Sequence, residues 1–448
     1  MLEIKGKYCK DIKIFTDNIE ESALSTLYHI AELRPYGGKK IRIMPDVHQG
    51  VGDSVIGFSC PVGLNNDFIS PSVVGCDLGC SVSCTFFNKG LTEEEIVLLE
   101  HSIKQKVAFG FDFQTTTLVT EKEIINRFQK AMDILCSRYP VFKNYALSFK
   151  CERDLEKWCD NIHMDYGRFL KSIGSVGGGN HYVEYDVNDE LGKYAICVHC
   201  GSRNLGQKVY KYWNNLAKTG GISKTELKNI IEGVKKNNTD KKLLQEQIKK
   251  AKEEYLKDKV PDFLTGDCLM GYLVDVVLAQ EYAKINHEYI HRIISDEYKK
   301  ICKGSTDCGF IYTTHNYIDY DFNSKGTPNI MIRKGAIRSY KGEEMIIPFN
   351  MRDGIAICEG KSNEDWNCTA PHGAGRIMSR AKAKQTLSVD DFKKTMSDAN
   401  IYTTTADITT LDEAPMAYKA KEEIVNLIQD TCKILYFMVP KMNIKAAE

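Results

Sequence analysis

The chain has 448 residues, 43% of them hydrophobic and 27% charged, with 60 basic side chains balancing 60 acidic ones. Such a composition excludes a disordered or fibrous chain and leaves material for a large buried core. A formal net charge of zero also excludes a whole-molecule field that draws in a polyanion, so any nucleic-acid site has to be a local patch.

No apolar run is long enough to span a bilayer. The opening stretch, MLEIKGKYCKDIKIF, lacks the apolar core of a signal peptide, which makes the cytosol the expected compartment. In that setting the sixteen cysteines are expected to be reduced thiols and not a disulfide framework.

In chain order, IRIMPDVHQG, VVGCDLGCSVSCTFF, YAICVHCGSR and GIAICEG alternate as strands do and carry their polar residues at Gly-containing ends. Helical periodicity is expected over about 93–107, 121–138, 205–217, 266–300, 389–398 and 415–431. The run at about 223–257 interleaves Lys with Glu and Asp, which reads as a solvated helical hairpin and not as an RNA arm. With no repeat, low-complexity tract or Pro-rich linker, residues 1–448 read as one mixed α/β domain.

Several strand ends carry ligand-type residues. Asp77 and Cys80 lie three apart among glycines, a spacing that lets a hard oxygen and a soft sulfur enter one pocket. His181 follows a triple-glycine run, and His199 and His315 each end a predicted strand. A lone histidine is more often structural than a ligand, but four such sites in one chain suggest a metal cluster. Further on, His372 precedes Gly373-Ala374-Gly375 and is followed by Arg376, Arg380, Lys382 and Lys384, a pattern that suits a phosphate. The same segment also reads as an ordinary turn leading into an amphipathic helix.

Two other patterns compete. His287-Glu288-Tyr289-Ile290-His291 matches the zincin pattern, with Glu288 as its general base, and supports a zinc metallopeptidase as the alternative reading. Gly354 to Ser362 resembles a phosphate loop with one residue too many between its glycines and is rejected. Cys197 and Cys200 form a single C-x-x-C without a second pair.

Taken together and in order, MPDVHQG, VGCDLGC, GGGNHYVE, VHCGSRNLG, THNY, RKGA, IPFNMRDG, PHGAGRIMSRAKAK, DEAPMAYK and NIKA resemble the RtcB family of RNA-splicing ligases, from about residue 40 to the C-terminus. The resemblance implies an α/β (α+β) fold of stacked, largely antiparallel sheets flanked by helices. It implies joining of RNA 2′,3′-cyclic phosphate or 3′-phosphate ends to 5′-hydroxyl ends with GTP and Mn²⁺.

Residue by residue, the resemblance makes His372 the nucleophile that takes GMP. Two Mn²⁺ ions would be held by Asp77, by Cys80 as a bridging thiolate, and by His181, His199 and His315. Asn180, His181, Tyr182, Val183 and Glu184 would line the guanylate pocket, with Glu184 accepting from guanine. His315, Asn316, Pro348, Phe349, Asn350, Met351, Ile355, Gly373, Ala374, Gly375 and Lys445 would complete it. Arg203, Lys334, Arg376 and Arg380 would hold RNA or triphosphate oxygens, and Asp46 would orient His372.

The implied partners are tRNA halves or broken RNA ends and an archease-like activator, and the expected state is a monomer. Asn350, Ile355, Thr314, Cys76 and Cys200 depart from the family's usual residues, which marks a divergent branch. A catalytically silent RNA-end-binding protein remains the third reading.

Overall fold

The structure is a computed structural model that describes residues 1–64, 67–222, 224–236, 241–257, 259–322 and 329–446. Its first sheet has six strands in the order Leu2–Ile4, Asp11–Ile14, Lys40–Gln49, Val55–Gly63, Asn329–Lys334 and Asn316–Asp319. Its second has seven, in the order Asp307–Thr314, Ser81–Phe87, Lys193–Cys200, Tyr182–Asn188, Cys432–Lys445, Gly354–Gly360 and Glu344–Asn350. Within these two sheets the pairings are antiparallel, save Asp11–Ile14 with Lys40–Gln49 in the first. The seven-stranded sheet curls until its edges meet, where Ile346 N–H donates to Thr313 Oγ1 at 3.1 Å.

Helix Gly266–Ile301 links the two sheets. It has 36 residues, about 54 Å at the usual rise, and is buried around most of its circumference. Leu269, Leu273 and Val277 join the core under the six-stranded sheet. Ile290, Ile294 and Tyr298 pack on the outer face of the curled one. Helix Glu93–Lys106 starts where predicted because Thr92 and Glu95 cap each other's backbone N–H groups. The charged stretch forms helices Lys224–Lys236 and Lys241–Leu256, with its connection outside the described residues. No helix among the described residues is long and apolar enough to cross a membrane.

The structure departs from expectation in three places. The first half of VVGCDLGCSVSCTFF is a 3-10 turn and loop, and the strand begins only at Ser81. Gly75 and Gly79 adopt φ of +97° and +72°, which breaks the pleat and turns Asp77 and Cys80 inward. The predicted 415–431 helix is reduced to Lys421–Leu427. Before it, Tyr418 is extended and Lys419 N–H is drawn to Gly375 O at 3.0 Å. Third, Cys84 and Cys197 are joined by a disulfide, which corrects the expectation of reduced thiols at that pair. They sit directly opposite each other on neighbouring strands, Cα atoms 4.2 Å apart, a spacing that brings the two sulfurs together.

On the buried side of the long helix, Asp275 accepts from the indole N–H of Trp158 at 2.8 Å and of Trp213 at 2.7 Å. Burial raises its carboxyl to about 6, a shift the two indoles partly offset. Removing the acceptor strands two buried donors. Asp275→Ala is therefore expected to lower stability by about 2–4 kcal/mol, and Asp275→Asn by less, in denaturant unfolding. Equal midpoints for Asp275→Ala and the unsubstituted chain would contradict the clasp.

Candidate active site

Four chain segments meet at one end of the curled sheet. The Asp77–Cys80 loop is tied to the segment around His315, which joins strands Asp307–Thr314 and Asn316–Asp319, by Gly79 N–H to Asn316 O at 2.8 Å and His315 N–H to Cys80 O at 2.9 Å. His181 immediately precedes strand Tyr182–Asn188, and His199 lies opposite both Tyr182 and Val82 in the ladder. Cys80 Sγ stands 3.3 Å from His181 Nε2 and 3.2 Å from His199 Nε2. His181 Nε2 is 2.9 Å from Asp77 Oδ2, and His199 Nε2 is 3.2 Å from His315 Nε2. Tetrahedral ligands at about 2.1 Å from an ion stand about 3.4 Å apart, so these separations suit a shared cation.

The protonation chemistry agrees. His199 Nδ1 lies 3.0 Å from Asn180 O, so the proton sits on Nδ1 and the Nε2 lone pair faces Cys80 and His315. Burial pushes the pKa values of His199 and His315 well down, which keeps both rings neutral. Burial and then Asp77 push the Cys80 thiol well up, so a thiolate there requires a positive neighbour. Burial alone would raise Asp77 as well, but His181 beside it holds the carboxyl below its usual range. Cys80, His181 and His199 thus form a buried metal-capable cluster, with Asp77 and His315 in contact with it.

His372 follows strand Thr369–Pro371, its ring centroid 4.9 Å from that of His315. Asp46, fully buried in strand Lys40–Gln49, accepts from His372 Nδ1 at 2.6 Å and from its backbone N–H at 3.1 Å. A carboxylate can only accept, so Nδ1 carries the proton and Nε2 is left unengaged by Asp46. The close approach depends on Gly375, where any Cβ would collide with the Asp46 carbonyl.

Two cavities adjoin at His372. One, of about 130 Å³, is lined by Asn180, Tyr182, Glu184, Pro348, Phe349, Asn350, Met351, Gly373, Ala374, Gly375 and Lys445. The other, of about 650 Å³, is bordered by Asp77, His315, Asn316, Lys334, Arg376 and Arg380. Most of the expected residues therefore converge. Val183 and Ile355 line neither cavity. Val183 points to the opposite face of its strand from Tyr182 and Glu184, and Ile355 packs in the interior of the curled sheet. Arg203 lines neither cavity and donates to Ser175 Oγ at 3.0 Å and to Gly110 O at 2.6 Å.

Arg376 and Arg380 reach the cavities already paired. Glu413 accepts from both, and Asp412 accepts from Arg380 at 2.7 Å. Burial would raise the Glu413 carboxyl, but Lys445, Arg380 and Arg376 hold it down at about 2. Lys334 is buried, with Nζ 2.7 Å from Ser72 O, and burial lowers it to about 8. Glu184 is raised by burial to about 8 and accepts from Asn443 Nδ2 at 3.0 Å. Glu413, Tyr418, Asn443 and His48 also line the narrow cavity. No role was assigned to them beforehand, although each falls inside a quoted motif, which was the available signal.

The metallopeptidase reading is overturned. His287 Nδ1 and His291 Nε2 both bond Ser83 Oγ, at 2.6 and 2.7 Å, and their other nitrogens meet Cys200 O and Thr85 Oγ1 at 2.9 Å. No ring nitrogen is left for a metal. Glu288 faces away and is held by Arg127 at 2.7 and 2.9 Å.

Burial lowers His287 to about 4 and His291 to about 3, so both are neutral in the fold. In the unfolded chain they accept protons near pH 6.5. Their contribution to stability is complete above that pH and is lost as pH falls through 6.5 towards 3. His291→Gln is expected to flatten this acid limb in pH-dependent denaturant titrations, and an unchanged limb would contradict it. At the metal-capable cluster, Co²⁺ titration is expected to release protons and give a near-ultraviolet thiolate charge-transfer band that Cys80→Ser removes. A band of equal strength in that variant would place the thiolate elsewhere.

The family described as tRNA-splicing ligase RtcB matches residues 26–446. An RNA-splicing ligase RtcB1 of Escherichia coli strain ATCC 25922 is 28% identical over 443 residues, covering 95% of each chain. The RNA-splicing ligase RtcB of Escherichia coli K12 is 26% identical over 440 residues, again with 95% of each covered. A tRNA-splicing ligase RtcB of Aeropyrum pernix is 24% identical, with 86% of this chain and 83% of that one covered. With nearly its whole length matched and a buried cysteine–histidine cluster beside an aspartate-held histidine, the chain belongs to the RtcB family of ligases.

Proposed function

We propose that the protein joins RNA 2′,3′-cyclic phosphate or 3′-phosphate ends to 5′-hydroxyl ends, with GTP and Mn²⁺, through a covalent His372–GMP. The observation that carries this reading is the His372 ring, its Nδ1 bound to Asp46 and its centroid 4.9 Å from that of His315 at the donor cluster. A neutral imidazole with one nitrogen committed to a carboxylate is a nucleophile at the other.

In this reading Nε2 attacks the α-phosphorus of GTP, a P–N bond forms, and pyrophosphate leaves. A terminal oxygen of the RNA 3′-phosphate then attacks the same phosphorus and returns the pair of electrons to Nε2. Attack of the 5′-hydroxyl oxygen on the RNA phosphate next expels GMP and leaves a 3′,5′-phosphodiester. A 2′,3′-cyclic end is first opened by water. The cations would neutralise phosphate charge as it is displaced, and Asp77, Cys80, His181, His199 and His315 would hold them. Asp46 keeps the Nδ1 proton in place throughout. Glu184 would accept from guanine N–H groups, with Asn316 and Lys445 at the edges of the nucleotide. Arg376 and Arg380 would offer planar forks to the phosphates.

The test is transfer of label from α-³²P-GTP to protein in Mn²⁺. The unsubstituted chain is expected to take acid-labile label, His372→Ala none, Asp46→Asn about 100-fold less, and Glu288→Gln as much as the original. Label persisting in His372→Ala would refute the nucleophile. RNA binding without any label would identify a silent end-binder.

A further inference from the structure

Among the described residues the aromatic side chain most open to solvent is Phe111, 72% exposed, and Phe113 beside it is 42% exposed. Each ring forgoes burial that folding favours, and the two stand in one short loop. The loop itself is firmly held. Ala108–Phe109 pairs in parallel with Ser175–Val176, and Asp112 N–H donates to Phe109 O at 3.2 Å. Gln114 donates from its backbone to Lys171 O at 3.0 Å and from its side chain to Gly174 O at 2.7 Å. A surface fixed in advance loses little entropy when a ligand settles on it.

Its place is set by Arg203. That guanidinium donates to Gly110 O at 2.6 Å and Asp112 O at 3.4 Å, one contact on either side of Phe111. Strand Ser175–Val176 runs directly into Gly177 and on to Asn180 and His181. A Cβ on Gly177 would collide with both His181 Nδ1 and Arg203 Nη1. One side chain thus spans from the exposed phenylalanines to the histidine of the donor cluster. Arg168 stands over the Phe113 ring at 5.7 Å and adds a cation. Flat rings beside cations suit unpaired bases and their phosphates, and the overall neutral charge requires such a patch to be local.

We propose that Phe111, flanked by Phe113 and Arg168, is a stacking platform for an unpaired base of the RNA strand whose end enters the Cys80–His199 site. The proposal rests on the ligase reading above. It gives Arg203 a different task from phosphate binding, that of fixing the platform against the donor cluster.

The test uses the full chain and a fluorescein-labelled single-stranded RNA bearing a 3′-phosphate, followed by anisotropy, with GMP labelling measured in parallel without RNA. F111A is expected to weaken RNA binding about five-fold or more and to raise the RNA KM for joining by a similar factor. F111W is expected to restore both and F111L neither, since only an aromatic face stacks, while GMP labelling stays unchanged in all three. RNA affinity unchanged in F111A, or restored equally by F111L, overturns the platform. Absence of GMP label in the unsubstituted chain would instead remove the ligase reading, with the anisotropy comparison still deciding the platform.

Discussion

His199 has one ring nitrogen committed to the Asn180 carbonyl, so the other presents a lone pair to Cys80 and His315 in a buried space. With its Nδ1 proton committed to Asn180, the His199 Nε2 lone pair stands 3.2 Å from both Cys80 Sγ and His315 Nε2, a buried set of donor atoms that suits a cation. The arrangement is imposed from outside the site. The curled sheet fixes His199 opposite Tyr182 and Val82, and the Gly75–Gly79 turn lowers Asp77 and Cys80 onto it. The site is therefore a consequence of ladder register and one left-handed turn.

The other half of the chemistry comes from the six-stranded sheet. Asp46 lies on a strand of that sheet, while His372 directly follows the short strand Thr369–Pro371, which pairs with Ala336–Arg338. Their bond brings the two parts of the fold together where the cavities adjoin. Helix Gly266–Ile301 contributes from behind. His287 bonds the carbonyl of Cys200, next to His199, and Ser83 and Thr85 bind the paired histidines to the same sheet. A motif that looks like a metal site in the sequence serves as packing behind the cysteine–histidine cluster.

Legibility in the sequence followed how local the determining physics was. Cys80, His181 and His199, which the fold gathers into one cluster, stood out because each lies at a strand end with a glycine one or two residues away, and His372 because PHGAGR shows a turn directly. The capped helix at Glu93–Lys106 was equally plain. The bonds that hold Arg203 are not legible because its partners, Gly110 and Ser175, are distant in the chain and are carbonyl and hydroxyl groups that no motif marks. Glu413 escaped notice because its meaning lies in Arg376, Arg380 and Lys445 arriving from other segments. Val183 was grouped with Tyr182 and Glu184 although strand alternation sends it to the other face. The Cys84–Cys197 bond needed the register between two strands, which alternation alone does not supply.

Anomalous diffraction at the manganese edge, from crystals grown with Mn²⁺, tests the central claim most directly. The account predicts density within bonding distance of Cys80 Sγ and His199 Nε2, with Asp77, His181 and His315 completing the coordination. Manganese bound only at other carboxylates, with the Cys80 cluster unchanged and lacking anomalous signal, would contradict it.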